Sequence, residues 1–248
     1  MYLIGDIGNT DIKIFLFNSK FKIIKKIRFS TTSLSNNYLY KTLKFLKIYE
    51  KQDIKILFCS LVPKSYDLIK SNLKKILKKK CYELKNCKLD NLVKIKVNKK
   101  QIGSDRLANA ISVLNNKSNF IIVDFGTATN FDIVIKNKYI GGIIAPGIQL
   151  SLNNLINKAS LIPETKLKKI KNVIGINTNS AIRSGFYYGY AGLIDKIIKL
   201  IIKQTGKSFK IIFTGGLSHL FKNSIKRKII IKKDLTINGV LKVARNSK

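Results

Sequence analysis

Carboxylates are scarce in this sequence: 13 Asp and Glu face 48 Lys and Arg, for a formal net charge of +35. Histidine occurs once, at His219, and cysteine three times, at Cys59, Cys81 and Cys87, with no Cys-x-x-Cys spacing. One histidine and three scattered thiols do not make a usual zinc set, so a zinc centre is excluded and buried, reduced cysteines are expected. No run of about 18 uncharged apolar residues occurs, which excludes a membrane-spanning helix. The amino terminus carries Asp6 and two glycines where a signal peptide would need a basic start and an apolar stretch. The expectation is a cytoplasmic protein with no membrane partner.

A charge of +35 would ordinarily suggest nucleic acid. Only Arg28, Arg106, Arg183, Arg227 and Arg245 are arginines, however, and the lysines are scattered over every segment. A solvated lysine coat is expected, with salt-labile adhesion to polyanions and no specific nucleic-acid partner. The same bias makes the few acids informative, because Asp6, Asp105 and Asp124 all stand beside glycines.

The chain is long enough for two small lobes, and 45% hydrophobic content supplies a core for each. Residues 2–8, 11–18 and 21–29 read as three strands separated by tight turns. A helix over 33–48, a buried strand over 54–60, a helix from Pro63 to about Lys79 and a helix over 104–115 follow. The stretch 81–100 is weakly patterned. From Asn119 the pattern restarts, with strands over 120–124, 128–135 and 139–144 and helices over 149–158 and 177–204. A strand at 210–213, a helix after Gly216, a strand near 228–231 and a terminal helix complete the expectation. The boundaries implied are residues 1–116 for an amino-terminal lobe and 117–248 for a carboxy-terminal one.

Each half opens its first turn with a carboxylate, a glycine and a threonine: Asp6-Ile7-Gly8-Asn9-Thr10 and Asp124-Phe125-Gly126-Thr127. A glycine turn between strands can present backbone N–H groups to phosphate oxygens, while the carboxylate can hold magnesium through water. Lys13 can reach a phosphate as a point charge. Thr214-Gly215-Gly216 is a third glycine element, placed after a strand where bare backbone can pack on a base or ribose. Gly103-Ser104-Asp105-Arg106 begins a helix whose apolar stripe is Leu107, Ala110, Ile111 and Leu114, so Asp105 points away from the core. A carboxylate so placed can accept a hydroxyl proton, and the adjacent guanidinium can fork onto an anionic group. Ala181, Gly185, Gly189 and Gly192 share one side of the long helix, where they permit close approach within the subunit or at a dimer interface. His219 reads as a surface or helix-start residue.

The three glycine elements resemble the ATP signature of the actin, Hsp70 and sugar kinase superfamily. That likeness implies an α/β fold of two ribonuclease H-like lobes, the actin-like ATPase fold, with a nucleotide cleft between them. With Ser60-Leu61-Val62-Pro63, Gly141 to Gly147, Gly175-Ile176-Asn177-Thr178 and Ser184-Gly185, the whole resembles the type III pantothenate kinase family.

The resemblance implies ATP-dependent phosphorylation of pantothenate, the first step of coenzyme A synthesis. By it Asp6, Ile7, Gly8, Asn9, Thr10, Asp11, Ile12, Lys13 and Thr127 bind ATP, and Asp6 also serves magnesium through water. Gly103, Ser104, Asp105, Arg106 and Thr178 contact pantothenate, with Asp105 the proton acceptor. Asp124 holds a monovalent cation, potassium or ammonium, and the protein is a homodimer. Lys96 and Lys99 stand where the family usually has tyrosine and proline, and Asn130 where a third threonine is usual. Two other readings carry different tests: a regulatory or accessory factor on the same fold, and a kinase for another small hydroxylated substrate.

Overall fold

The computed structural model describes residues 1–247 and divides into two compact units, Met1–Leu114 with the carboxy-terminal segment from Leu235, and Asn115–Asp234.

The first unit opens with β1 (Tyr2–Ile7), β2 (Asp11–Phe17) and β3 (Ile23–Ser30), an antiparallel meander. After α1 (Asn36–Leu43) and a 3-10 segment (Lys44–Tyr49) come β4 (Lys55–Ser60), α2 (Pro63–Leu77), β5 (Cys81–Glu83), a 3-10 turn (Leu84–Asn86), β6 (Lys94–Ile95) and α3 (Ser104–Val113). The sheet order is β3-β2-β1-β4-β5, with β4 parallel to β1 and β5 parallel to β4. β1 is therefore central. One face carries Leu3, Ile7, Ile12, Ile14 and Phe58, packed with Leu39, Ile69 and Leu73 from α1 and α2. Gly5, opposite Phe58 in register, leaves room for that ring, since a Cβ at Gly5 would lie 2.0 Å from it. The other face presents Asp6, Cys59 and Lys13 at the end of the sheet where β1 and β4 finish and β2 begins.

In the second unit β7 (Asn119–Phe125), β8 (Ala128–Ile135) and β9 (Lys138–Pro146) form another antiparallel meander. Then come α4 (Ile148–Lys158), α5 (Thr178–Thr205), β10 (Lys210–Gly215) and β11 (Ile229–Ile231). β10 lies parallel to β7, and β11 parallel to β10. Ile121, Val123, Phe125, Phe131 and Phe213 turn toward Tyr187, Ile194 and Ile198 of α5.

Two expectations are corrected. The segment after Gly216 is a series of turns rather than a helix, closed by Ser218 Oγ on Gly215 O and Ser224 Oγ on Phe221 O. Serine hydroxyls that bond nearby carbonyls compete with the helical ladder, and Phe221 is buried against Phe125 from this turn. The last helix, α6 (Leu235–Asn246), belongs to the first unit rather than the second. It packs against α3 at Gly239, where a Cβ would stand 1.8 Å from the Ala108 carbonyl oxygen, and Thr236 Oγ1 bonds Asn109 Oδ1 at 3.0 Å. The first unit therefore ends at Leu114 and is completed by the chain's final residues.

Among the described residues no helix is long and apolar enough to cross a membrane. The three cysteines are free, Cys59 and Cys81 buried and Cys87 only partly so, and His219 is exposed.

Candidate active site

The expected site residues fall into two sets, one on each unit. In the first, the turn Gly8-Asn9-Thr10 joins β1 to β2 and is closed by the Gly8 N–H donating to Asp11 O at 3.0 Å. Asn9 and Thr10 are exposed at its tip. Asp6 sits directly across from Lys13 in the β1–β2 register, so carboxylate and ammonium stems rise from the same face. The Asp11 carboxylate is taken by Arg28 at 2.6 Å, so this aspartate serves the turn through its backbone and not as a free charge.

Asp6 also stands beside Cys59 on β4, whose Sγ donates to Asp6 Oδ1 at 3.4 Å. Burial pushes the Cys59 thiol well up, and the charges of Asp6, Asp105 and Glu83 push it further. The sulfur therefore keeps its proton and remains a donor to the carboxylate. The charges of Asp6 and Asp105 both act on this one buried thiol, so two of the expected site carboxylates lie within electrostatic reach of Cys59.

Asp105 lies in the first turn of α3, whose N-cap is Gly103. Its Oδ1 is buried without a hydrogen-bond partner among the described residues. Burial raises the carboxyl above its ordinary range, only partly offset by the backbone N–H and guanidinium of Arg106 and by Lys85. An acceptor oxygen stripped of water and left unsatisfied is costly to keep, and it is the state a general base needs. Gly103 leaves room for this carboxylate: a Cβ there would come within 2.5 Å of Asp105 Oδ1 and push it from its present position. Ser104 is buried and donates to Glu83 Oε1 at 2.5 Å, while Glu83 Oε2 accepts from the Lys85 N–H at 2.6 Å. Glu83 thus ties the start of α3, through Oε1, to the 3-10 turn Leu84–Asn86 that its Oε2 caps.

In the second unit Asp124 is the penultimate residue of β7, flanked in register by Asn130 on β8 and Thr214 on β10. The next residue, Phe125, points to the opposite face and is locked in an aromatic cluster, edge-on to Phe213 at 5.1 Å and stacked on Phe221 at 5.5 Å. That anchor fixes where the Asp124 turn begins. Gly215 has φ +86°, and a Cβ on it would meet Phe125 O at 2.5 Å and Asp124 Oδ1 at 2.7 Å, so glycine is needed both for conformation and for close approach. Gly147 lets the start of α4 lie against the Thr127 carbonyl, 2.0 Å from where its Cβ would be. Thr127 is exposed. Thr178 opens α5 and is also exposed, behind a capping box in which Asn177 Oδ1 accepts from the Ser180 N–H at 2.9 Å.

Carboxylate turns ending the first strand of each three-stranded opening, a buried carboxylate at a Gly-x-Asp-Arg helix start and a glycine pair at the end of β10 together match the expected kinase pattern. The type III pantothenate kinase family model matches residues 2–200. The chain belongs to the type III pantothenate kinases. A family member from Pelagibacter ubique (strain HTCC1062) is 57% identical over 242 residues, covering 98% of both chains. Another, from Desulforapulum autotrophicum, is 34% identical over 253 residues, 98% of this chain and 96% of its own. Among solved structures, the ROK family glucokinase from Streptomyces griseus in complex with glucose and AMPPNP superposes with TM-score 0.54 at 10% identity, covering 99% of each chain. At that identity the likeness concerns fold alone, and it is the two-lobe actin-like kinase fold. As a type III pantothenate kinase, this protein works with ATP and a divalent metal.

Cys59 and Glu83 are not among the site residues that the sequence predicts. Glu83 had a readable signal, being one of only 13 acids. Cys59 had none, because its contact with Asp6 depends on the pairing of β1 with β4.

Proposed function

We propose that this kinase transfers the terminal phosphoryl group of ATP to the primary hydroxyl of pantothenate, with Asp105 as the proton acceptor. The observation that carries this reading is the Asp105 carboxylate: one oxygen buried and unpartnered, the group's proton affinity raised by burial, and Arg106 beside it. The hydroxyl oxygen forms the new bond to phosphorus, the bond from phosphorus to the bridging oxygen of ADP breaks, and the hydroxyl proton passes to Asp105. The turn from Asp6 to Lys13 together with Thr127 holds ATP. Gly103, Ser104, Arg106 and Thr178 hold pantothenate, with the Arg106 guanidinium suited to its carboxylate.

Among the described residues no cluster of three or more His, Cys, Asp or Glu could cage a metal. The single carboxylate of Asp6 fits magnesium carried in on the phosphates and held through water, since magnesium favours one or two carboxylates plus substrate oxygens. When bound, magnesium neutralises charge on the phosphates. We place potassium or ammonium at Asp124, whose register neighbours Asn130 and Thr214 supply further oxygen donors.

The homodimer belongs to this proposal too. Cβ atoms built on Gly185, Gly189 and Gly192 meet nothing within 4 Å, so these α5 glycines do not serve packing inside the chain. Ile144 at 66% exposure and Leu150 at 46% leave apolar surface available on the same unit. The setting is cytoplasmic. Initial rates at constant ionic strength test the cation assignment: potassium or ammonium should stimulate ADP release that depends on pantothenate, and Asp124→Asn should abolish the stimulation. Equal rates in sodium alone, or full stimulation in Asp124→Asn, would remove the cation from Asp124.

A further inference from the structure

The residue just past the end of β3 touches the β1–β2 turn twice, once by carrying the β2–β3 ladder one rung beyond Asp11 and Ser30, and once by a side-chain bond that strand pairing does not require. Thr31 Oγ1 donates to the Gly8 carbonyl at 2.7 Å, and the Thr31 N–H donates to the Thr10 carbonyl at 2.9 Å. The hairpin is already closed by Gly8 N–H on Asp11 O. Thr31 is held in place by its neighbours: Ser30 Oγ and Thr32 Oγ1 lie 2.8 Å apart, Thr32 N–H bonds Ser30 Oγ, and Arg28 grips Asp11 across the strands.

A turn that cradles an anion must aim its N–H groups outward, so its carbonyl oxygens, which repel phosphate, have to be turned back and kept there. The two carbonyls flanking Asn9 are the ones Thr31 captures. We infer that Thr31 is a positioning residue for ATP, holding the Gly8 and Thr10 carbonyls back on β3 so that the turn's N–H face is preformed for the phosphates. The inference rests on the proposed assignment of the Asp6 to Lys13 turn to ATP. Thr31 itself touches no substrate.

The test compares Thr31→Val, which keeps the shape and the backbone N–H but loses the hydroxyl, with Thr31→Ser, which keeps the hydroxyl. ATP–magnesium binding is read by calorimetry, alongside kcat, the KM for pantothenate and the melting temperature. Thr31→Val should weaken ATP binding about fivefold to tenfold, the worth of one hydrogen bond to a preorganised carbonyl. Its KM for pantothenate should stay within about twofold of wild type, since only a nucleotide contact has changed. Thr31→Ser should restore ATP affinity. Wild-type ATP affinity in Thr31→Val, equal weakening in Thr31→Ser, or a matching rise in the pantothenate KM would overturn the inference. A third variant, Gly8→Val, separates the two levels. If it binds ATP normally, the turn is not the nucleotide site and the inference falls with it; if it loses ATP while Thr31→Val does not, only the brace is wrong.

Discussion

The Asp105→Asn variant is expected to lose on the order of a thousandfold in kcat, the scale of a general base removed from a positioned site. Its ATP binding should match wild type, because the turn proposed to hold ATP joins β1 to β2 whereas Asp105 lies on α3. The amide has the carboxylate's shape and cannot take a hydroxyl proton. Burial raises the Asp105 carboxyl above its unfolded value of 3.8, so the acid limb of kcat/KM in the wild type should lie at higher pH than an ordinary aspartate gives.

The same shift has a stability consequence of definite sign. A carboxyl that binds its proton more tightly when folded destabilises the native state once ionised, fully above the folded pKa and not at all below the unfolded one. Asp105→Asn should therefore be at least as stable as wild type at neutral pH, with the advantage fading as pH falls toward 3.8. Thermal melts across that range check it. An inactive variant that is also destabilised at neutral pH would mean that Asp105 serves the fold.

The second large effect is on stability alone. Gly239→Ala puts a methyl where the Ala108 carbonyl oxygen is 1.8 Å and its carbonyl carbon 2.5 Å away, both backbone atoms that cannot rotate aside. α6 would have to lift from α3, at a cost of roughly 3 kcal/mol from overpacking a closely fitted interface. Chemical denaturation should show a lower midpoint. A midpoint equal to wild type would mean that α6 is not seated on α3.

The Gly239 contact also marks where sequence reading reaches its limit. The two three-stranded openings were legible because turn residues and apolar alternation are local signals, and β1, β2, β7 and β8 follow them closely. The helix period set Asp105 apart from the stripe of Leu107, Ala110, Ile111 and Leu114, but did not show that its Oδ1 is buried, which depends on what packs around the start of α3. The destination of α6 was not legible, because an amphipathic helix says which face is buried and not which sheet will bury it. β5 was invisible: three residues with one fully buried side chain make no pattern, and the strand is defined by its pairing to β4. The same holds for the Thr31 bonds to Gly8 and Thr10, which join residues 23 and 21 positions apart in the chain, separations that no local pattern encodes.

The most direct test of the account uses ATP labelled in its terminal phosphoryl group, incubated with the protein, magnesium, potassium and pantothenate, with the products separated and identified. The label should appear in 4'-phosphopantothenate in step with ADP, and none should move when pantothenate is left out. Label found only as inorganic phosphate, at a rate indifferent to pantothenate, would contradict it.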